Sequence, residues 1–401
     1  MIRSFIFRLF RGRHYWRKAS FDEMSELYIS RMMTVFAINI ITLFIAIYLY
    51  ELGYSLVFIA FFYASLYAMK AVISPLAGRY VAYWGPRRAI FLANIMRVPS
   101  LLIFLGVEQY GLWAVVAFGI IQQASACLYD LAYLVNFSRV KHNGRAGKQI
   151  GTMQILEKVA RVISPLVGGV IATMFSPQVT ILIAAVVFSL AAWPLFLSAE
   201  SIPSRYKLEM HRVKLRSIWR MFTGEVVVGF DFISSGMIWT LFLAAVVFAS
   251  SDDKIYAIVG VLASVGVVAS AAGAYAFGRM IDRRRGAELL TSTVILKSII
   301  HMVRPISVAP AGAVAAGLSS EMVSTGYAMA FMRAMFDRAD DSPSRIVFMT
   351  HMEIAVNVGA TAACLVFGLA LLVGEMTIGF ASVFIAAAFV QLLMLLSRRY
   401  A

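Results

Sequence analysis

The amino-acid sequence predicts an all-α membrane protein with twelve transmembrane helices in two pseudo-symmetric six-helix halves. First, 61% of the residues are hydrophobic and 14% are charged, whereas soluble domains average about 25% charged residues. Second, unbroken apolar runs of about 18–28 residues are long enough to cross a hydrocarbon core as helices, and too long for barrel strands of about ten residues. Third, the runs form two sets of six around the longest polar stretch, residues 199–220.

The predicted helices follow from the positions of the apolar runs. The first set lies at 24–50, 55–77, 88–107, 111–136, 150–175 and 178–198. The second set lies at 221–250, 255–278, 288–308, 311–335, 345–373 and 376–397. The chain is thereby divided into an N-terminal segment (1–19), a first half (20–198), a linker (199–220) and a second half (221–401).

The N-terminal segment, residues 1–19, interleaves arginines with Phe, Ile, Leu and Trp. A signal peptide has a clean apolar stretch and a small-residue cleavage site, and this segment has neither. The pattern is typical of a short amphipathic helix on an anionic lipid surface, which makes membrane lipids a partner. A disordered basic tail is the alternative.

The basic residues predict the orientation. Most of the 36 Lys and Arg residues fall on the side that holds the N-terminal segment, the linker and the C-terminus, whereas the opposite connections contain only Lys254. Because Lys and Arg concentrate in cytoplasmic loops, both termini and the linker are predicted to be cytoplasmic, in a multi-pass protein of the inner membrane. Topology thus accounts for the net charge of +15, and no nucleic-acid partner is predicted.

Enzyme motifs are absent from the sequence. Cys127 and Cys364 both lie inside apolar runs, so they predict neither a disulfide framework nor a metal site. The motifs CxxC, HExxH, GxxxxGK[ST] and GxSxG do not occur. The sequence therefore predicts no enzyme, no catalytic residue, no cofactor and no metal.

The two halves share short segments in the same order at offsets of about 200 residues. The pairs are Gly78 with Gly278, Tyr129–Tyr133 with Tyr327–Phe331, and Gln154–Glu157 with Thr350–Glu353. Three ordered matches at nearly equal offsets favour a duplicated six-helix unit, as in many transporters.

The segment from Gly78 to Arg88 resembles the loop signature of the major facilitator superfamily, in which Gly, Asp, Gly and basic residues follow in order. Ala82 stands where the signature has Asp, and the second copy from Gly278 to Gly286 keeps Asp282 but has one extra residue. Together with the six-plus-six layout of nearly the whole chain, the resemblance implies the fold of that superfamily and transport by alternating access.

The resemblance also implies a conformational latch, formed by these loops on the cytoplasmic side of the two halves. Its predicted residues are Gly78, Gly85, Arg87, Arg88, Gly278, Asp282 and Arg283. Glycine permits tight turns and close approach, and a carboxylate favours a helix N-terminus. The alternative is that basic turns merely follow the cytoplasmic preference of Lys and Arg.

The segment Ala160–Gly169 resembles the antiporter signature of drug exporters, GxxxGPxxGG, with Ala160 and Ser164 in place of two glycines. The resemblance implies proton-coupled export. Close helix packing alone also requires small residues at this spacing, and the arginine-led motif of exporters in the fourth span is absent. Both interpretations stay open at this point.

Ionisable residues inside the predicted helices are the candidates for substrate binding and proton coupling, because a charge at mid-bilayer costs about 2.5–3.5 kcal/mol. The candidates are Arg31, Glu157, Arg161, Asp231, Glu321, His351 and Glu353. Glu157 and Arg161 are four residues apart and can pair. Asp231, Glu321 and Glu353 have no such basic neighbour, so they are predicted to exchange protons. Static ion pairs with Arg31 or Arg161 are the alternative.

A basic stripe in the ninth predicted helix, Lys297, His301 and Arg304, is predicted to extend towards lipid headgroups. Lys70 and Arg97 receive no role. The whole pattern predicts a monomeric secondary transporter for a small polar or charged solute, with protons as a further partner. The alternative is a non-transporting membrane sensor or scaffold subunit.

Overall fold

The computed structural model describes residues 23–140, 146–196, 208–249, 254–282 and 285–400. Within these ranges all regular secondary structure is helical, which confirms the all-α prediction. The predicted N-terminal segment and residues 199–207 of the predicted linker lie outside the described residues, so the domain boundaries stay predictions.

Twelve long helices follow the order of the twelve apolar runs. In the first half they are α1 (Glu23–Glu51), α2 (Leu56–Trp84), α3 (Pro86–Leu105), α4 (Leu112–Val140), α5 (Ala146–Met174) and α6 (Pro177–Ala192). In the second half they are α7 (Leu215–Ile233), α8 (Ile255–Asp282), α9 (Gly286–Val303), α10 (Pro310–Asp340), α11 (Arg345–Val373) and α12 (Met376–Leu392). α7 continues to Val247 through two π-helical turns, Ser234–Ile238 and Leu243–Val247.

Nine of the helices in the described residues are long and apolar enough to cross a membrane. α5 and α6 contain shorter apolar segments, Val159–Met174 and Pro177–Ala192, and the long helix α10 is too polar to qualify. A transmembrane helical bundle is therefore established, whereas the full count of twelve crossings stays a prediction.

The helices of the two halves pack in the same pattern. In the first half α1 packs against α5 and α6, α3 against α4 and α6, and α2 against α4. In the second half α7 packs against α11 and α12, α9 against α10 and α12, and α8 against α10. Two antiparallel pairs, α2–α11 and α5–α8, join the halves. Each pair maps onto the other when the halves are exchanged, as pseudo-symmetry requires.

Glycines bring the backbones of several helices into direct contact. A Cβ atom on Gly229 of α7 would lie 1.8 Å from the carbonyl oxygen of Val356 in α11. On α5, a Cβ on Gly168 would lie 2.4 Å from the carbonyl oxygen of Ile40 in α1. Such contacts hold helices together in lipid through packing rather than hydrophobic burial.

The two ends of the bundle differ in charge and in contact between the halves. We call the end where α1 begins and α2 ends the basic end, because it carries the arginine-rich turns. At the opposite end Phe44 of α1 packs edge-to-face on Tyr256 of α8, with ring centroids 5.5 Å apart. The Tyr256 hydroxyl also donates a hydrogen bond to Glu51. These contacts join α1 to α8, and so the two halves, at the opposite end.

Candidate functional site

Glu157 is the centre of a charged cluster in the first half. It accepts a hydrogen bond from Arg31 Nε at 2.8 Å and one from the Tyr133 hydroxyl at 2.7 Å. The guanidinium carbon of Arg31 also lies 3.7 Å from the centroid of the Tyr133 ring. Arg161 lies 3.7 Å from Glu157, and its side chain is 50% exposed. The spaced pair Glu157–Arg161 is thus present, but Arg31 is the tighter partner.

A buried lysine links the two halves. Nζ of Lys70 on α2 lies 2.9 Å from Oδ2 of Asp130 on α4 and 3.0 Å from Oε1 of Glu353 on α11. Glu353 also accepts a hydrogen bond from Asn357 Nδ2 at 2.9 Å. Glu353 has no basic neighbour on its own helix, but α11 packs against α2 of the other half and receives its lysine.

A second charged cluster surrounds Asp231 of α7. Its Oδ1 lies 2.8 Å from His301 Nε2 and 3.2 Å from Lys297 Nζ, both on α9. Ser235 donates a hydrogen bond to the same carboxylate at 2.8 Å, and the Tyr327 hydroxyl donates another. Asp231 is thus a fully bonded, buried anion.

This cluster bears on two sequence predictions. Asp231 has no basic neighbour on its own helix, but α9 supplies it with a cation, Lys297, and with a hydrogen-bonding histidine, His301. The basic stripe of α9 does not reach the headgroups, because Lys297, His301 and Arg304 are 0%, 0% and 1% exposed. The sequence of an apolar helix does not indicate which face packs against other helices and which faces lipid. Here α10 and α7 cover the basic face of α9.

Three serines accept hydrogen bonds from the cations of α9. Lys297 Nζ donates to the hydroxyls of Ser235, Ser320 and Ser324 at 3.0, 2.5 and 2.7 Å. Arg304 donates to Ser235 and Ser320 at 2.9 and 2.8 Å. Serine oxygens satisfy donors without adding charge, so they do not neutralise the two cations. Lys297 and Arg304 therefore depend on nearby carboxylates for compensation.

The two clusters occupy equivalent places with inverted charge. Arg31 donates to the hydroxyl of Tyr129 at 3.2 Å in the first half. In the second half Asp231 accepts from Tyr327, and both residue pairs are related by the duplication offset of about 200 residues. Arg97 and Lys297 share that offset as well. The offset, applied to charged residues, was the sequence signal that could have located these clusters.

Glu321 differs from Glu157, Asp231 and Glu353, each of which has a cation in direct contact. It lies near the middle of α10 and is partly exposed, and within the described ranges no cation lies within 4.0 Å of it. Its side chain packs against α8, where a Cβ on Gly266 would lie 3.1 Å from Glu321 Cγ. Arg161, Lys297 and Arg304 are within electrostatic range. The Glu321 carboxylate thus faces these cations at a distance, without a direct ion pair in the described part of the chain.

His351 makes a local contact in the structure. Its Nδ1 lies 2.8 Å from the carbonyl oxygen of Val347, one turn earlier on α11. Its predicted part in coupling stays a prediction. Among the described residues there is also no group of three or more His, Cys, Asp or Glu side chains that could hold a metal ion.

The predicted latch is described in part. A Cβ on Gly78 of α2 would lie 2.8 Å from Thr350 Oγ1 on α11, so this glycine sits where the halves meet. Gly85 joins α2 to α3 with φ of 92°, a conformation that favours glycine. Arg87 is buried and Arg88 is exposed. Gly278 and Asp282 belong to the end of α8, whereas the Asp282 side chain and all of Arg283 lie outside the described residues.

Gly78→Val is expected to separate α2 from α11 at the basic end, because the added methyl groups meet Thr350. Nitroxide labels at the exposed positions Tyr83 and Asp341 would report the separation, measured as a distance by double electron–electron resonance spectroscopy. We expect a longer mean distance than in the wild type. Gly312→Val is the matched control, since a Cβ there finds no atom nearer than 3.9 Å. Unchanged distances in Gly78→Val would contradict a latch at this contact.

Two halves with one packing pattern, joined by two antiparallel helix pairs around buried charges, define a secondary-transporter fold. The family model of the Major Facilitator Superfamily matches residues 27–345. The chain belongs to the major facilitator superfamily and is a multi-pass membrane transporter.

Solved structures share the fold. The crystal structure of the nucleoside transporter NupG has a TM-score of 0.68 and 13% sequence identity, with 94% of this chain and 98% of that chain covered. A bacterial homologue of the iron transporter ferroportin in an inward-facing state has a TM-score of 0.67 and 11% identity, with 96% and 99% covered. No curated protein matches the chain by sequence.

Proposed function

We propose that this protein moves a small polar or charged solute across the cytoplasmic membrane by alternating access, as a monomer and in exchange for protons. One observation carries the proposal. Charged side chains near the middle of α5 and α4 are exposed, Arg161 by 50% and Asp130 by 41%, while Tyr256 and Glu51 join the halves at the opposite end. In this proposal the solute reaches these charges from the basic end, and rocking of the halves would open them to the other side.

Glu321 is the residue that we assign to proton coupling. The charged groups around it are Arg161 of α5, Lys297 and Arg304 of α9 and Asp231 of α7, with the Tyr327 hydroxyl on its own helix. Because no cation among the described residues touches it directly, we infer that its carboxylate exchanges a proton for a cationic group of the solute. Competition of both for one carboxylate is sufficient for exchange.

Glu157, Asp231 and Glu353 have a different part in this proposal. Each is held by at least one cation within 3.2 Å, so their charges stabilise the halves and their contact. Lys70, which bridges Asp130 and Glu353 between the halves, is the side chain whose bonds must change when the halves rock.

We add export to the proposal because the segment Ala160–Gly169 of α5 resembles the antiporter signature of drug exporters. In the segment that resembles the antiporter signature, a Cβ on Gly169 would lie 2.5 Å from the carbonyl oxygen of Tyr256. This contact joins α5 to α8 across the halves at the opposite end. The predicted cytoplasmic position of the basic end, which follows from the arginine distribution, makes the exposed charges accessible from the cytoplasm.

Reconstitution into liposomes tests the proposal. Vesicles that contain a mixture of small metabolites and an imposed pH gradient are expected to move at least one solute against the direction of proton flow. Gly169→Leu is the inactive control, because its side chain meets the Tyr256 carbonyl and prevents closure. Movement of the solute together with protons would contradict exchange, and movement of no metabolite under any gradient would contradict transport.

A further inference from the structure

Arg161 on α5 has hydrogen-bond donors that no residue in the described ranges uses. Its acid, Glu157, already accepts hydrogen bonds from Arg31 through both carboxylate oxygens, at 2.8 and 3.4 Å, and from Tyr133 at 2.7 Å. Arg161 stays 3.7 Å away with half of its side chain exposed. A guanidinium in this position can still form two parallel hydrogen bonds to a carboxylate.

Glu321 approaches the same region from the other half. Close contacts fix the alignment of α5 with α8: Gly169 lies against Tyr256, and Pro165 lies against Gly260. One further turn along this antiparallel pair brings Arg161 level with residue 264, and Glu321 packs on α8 at Gly266. Because Gly266 has no side chain, nothing from this position of α8 stands between the two charged groups.

The two opposite charges interact without touching. They are within electrostatic range, yet within the described residues they form no ion pair at 4.0 Å or less. At the same level of α8, the Ser264 hydroxyl is buried, with 6% of the residue exposed, and has no hydrogen-bond partner in the described part of the chain. The region thus holds an anion-binding group, a cation-binding group and an unused hydroxyl.

The charges define which solute satisfies this region. A purely cationic solute bound at Glu321 would add to the positive charge near Arg161, and a purely anionic solute at Arg161 would repel Glu321. We propose that Arg161 and Glu321 are the two poles of a site for a zwitterionic solute of the amino-acid class. Its carboxylate binds Arg161 and its ammonium group binds Glu321. The inference rests on the proposed function, because it names the solute of that transporter.

The site also explains the competition with protons. An ammonium group compensates the charge of Glu321 by forming an ion pair, and a proton does so by binding the carboxylate covalently. Each therefore replaces the other at one carboxylate. Arg161 keeps its charge in both states and supplies orientation. A zwitterion therefore binds without adding net charge to a low-dielectric region. A singly charged solute would add one charge to that region.

Binding to purified protein in lipid nanodiscs tests the proposal with defined probes. Each probe set consists of an L-α-amino acid, its methyl ester, which keeps only the cation, and its N-acetyl derivative, which keeps only the anion. Affinity is measured by isothermal titration, and folding is confirmed by thermal shift with each probe. The wild type is expected to bind at least one amino acid about thirtyfold or more tightly than its ester and its N-acetyl derivative.

Matched variants separate recognition from folding. Arg161→Gln is expected to bind the amino acid no better than the ester, because only the carboxylate pole remains. Glu321→Gln is expected to bind the amino acid no better than the N-acetyl derivative. Each variant keeps one class of ligand, so a misfolded protein would be recognised by the loss of both. Arg285→Gln, which removes an exposed surface pair with Glu288, is the control and should bind as the wild type does.

Three results would overturn the zwitterionic site. They are equal wild-type affinity for amino acids and their esters, an amino-acid preference that survives both variants, and no amino-acid binding in a wild type that exchanges another solute for protons in vesicles. The last result would leave the proposed function intact. An absence of any proton-driven solute movement would contradict the proposed function itself.

Discussion

Asp231→Asn is expected to destabilise the protein by about 3–5 kcal/mol, because it leaves buried cations without their anion. Asp231 is 5% exposed and lies 3.2 Å from Lys297 and 2.8 Å from His301. Arg304 shares Ser235 with this cluster. An asparagine keeps the shape and some hydrogen bonds, but it removes the only carboxylate in direct contact with Lys297 among the described residues.

Thermal unfolding in detergent or nanodiscs measures this effect, with the unfolding temperature as the operational readout. Glu209→Gln is the control, because its pair with Arg212 is exposed and contributes roughly 0–1 kcal/mol. Adding Lys297→Met to Asp231→Asn should recover part of the loss, since one stranded cation is removed. An Asp231→Asn protein as stable as Glu209→Gln would contradict the charge-compensated cluster.

Glu321→Gln is expected to abolish proton-driven movement of the solute while solute-for-solute exchange continues at saturating concentration. Glutamine resembles the protonated carboxyl group in shape but cannot release a proton. Because Glu321 has no direct cation in the described structure, its neutralisation leaves no ion pair broken. Flux of radiolabelled solute, driven by a pH gradient or by a counter-pool of unlabelled solute, distinguishes the two activities.

Glu157→Gln gives the matched comparison. Glu157 is bonded to Arg31 at 2.8 Å, so its neutralisation strands a buried cation and should impair folding rather than coupling. A Glu321→Gln protein that keeps full pH-driven flux would show that Glu321 is not the coupling residue.

The fold was largely predictable because lipid imposes it. A segment without water must satisfy its backbone as a helix, so the length and position of each apolar run determine the element. The run 345–373 coincides with α11, and the run 255–278 falls short of the end of α8 by one turn, where the sequence becomes basic. The helix α10 was predicted to cross the membrane from the length of its apolar run. Its polar residues make it less hydrophobic than the nine strongly apolar helices of the described residues.

The site was only partly predictable because its bonds join different helices. The spacing of Glu157 and Arg161 along one helix did indicate their contact. The bridge from Lys70 to Asp130 and Glu353 involves three helices and both halves, and no spacing within a helix can indicate it. Likewise, the basic face of α9 is interpreted correctly only when its neighbours are known. Glu321 has no basic neighbour on its own helix and no direct cation in the described part of the chain, and its part in proton coupling stays a prediction.

Double electron–electron resonance spectroscopy tests most directly whether Glu321 couples protons to alternating access. It measures the distance between two nitroxide labels, and two pairs of positions are needed. Labels at Tyr83 and Asp341 report the basic end, and labels at Gln109 and Glu375 report the opposite end; all four residues are exposed, whereas Cys127 and Cys364 are buried. In the wild type, a change from alkaline to acidic pH is expected to shift the two distances in opposite directions. In Glu321→Gln, both distances are expected to be the same at either pH. Distances that never change in the wild type, or a Glu321→Gln protein that responds to pH as the wild type does, would contradict the account.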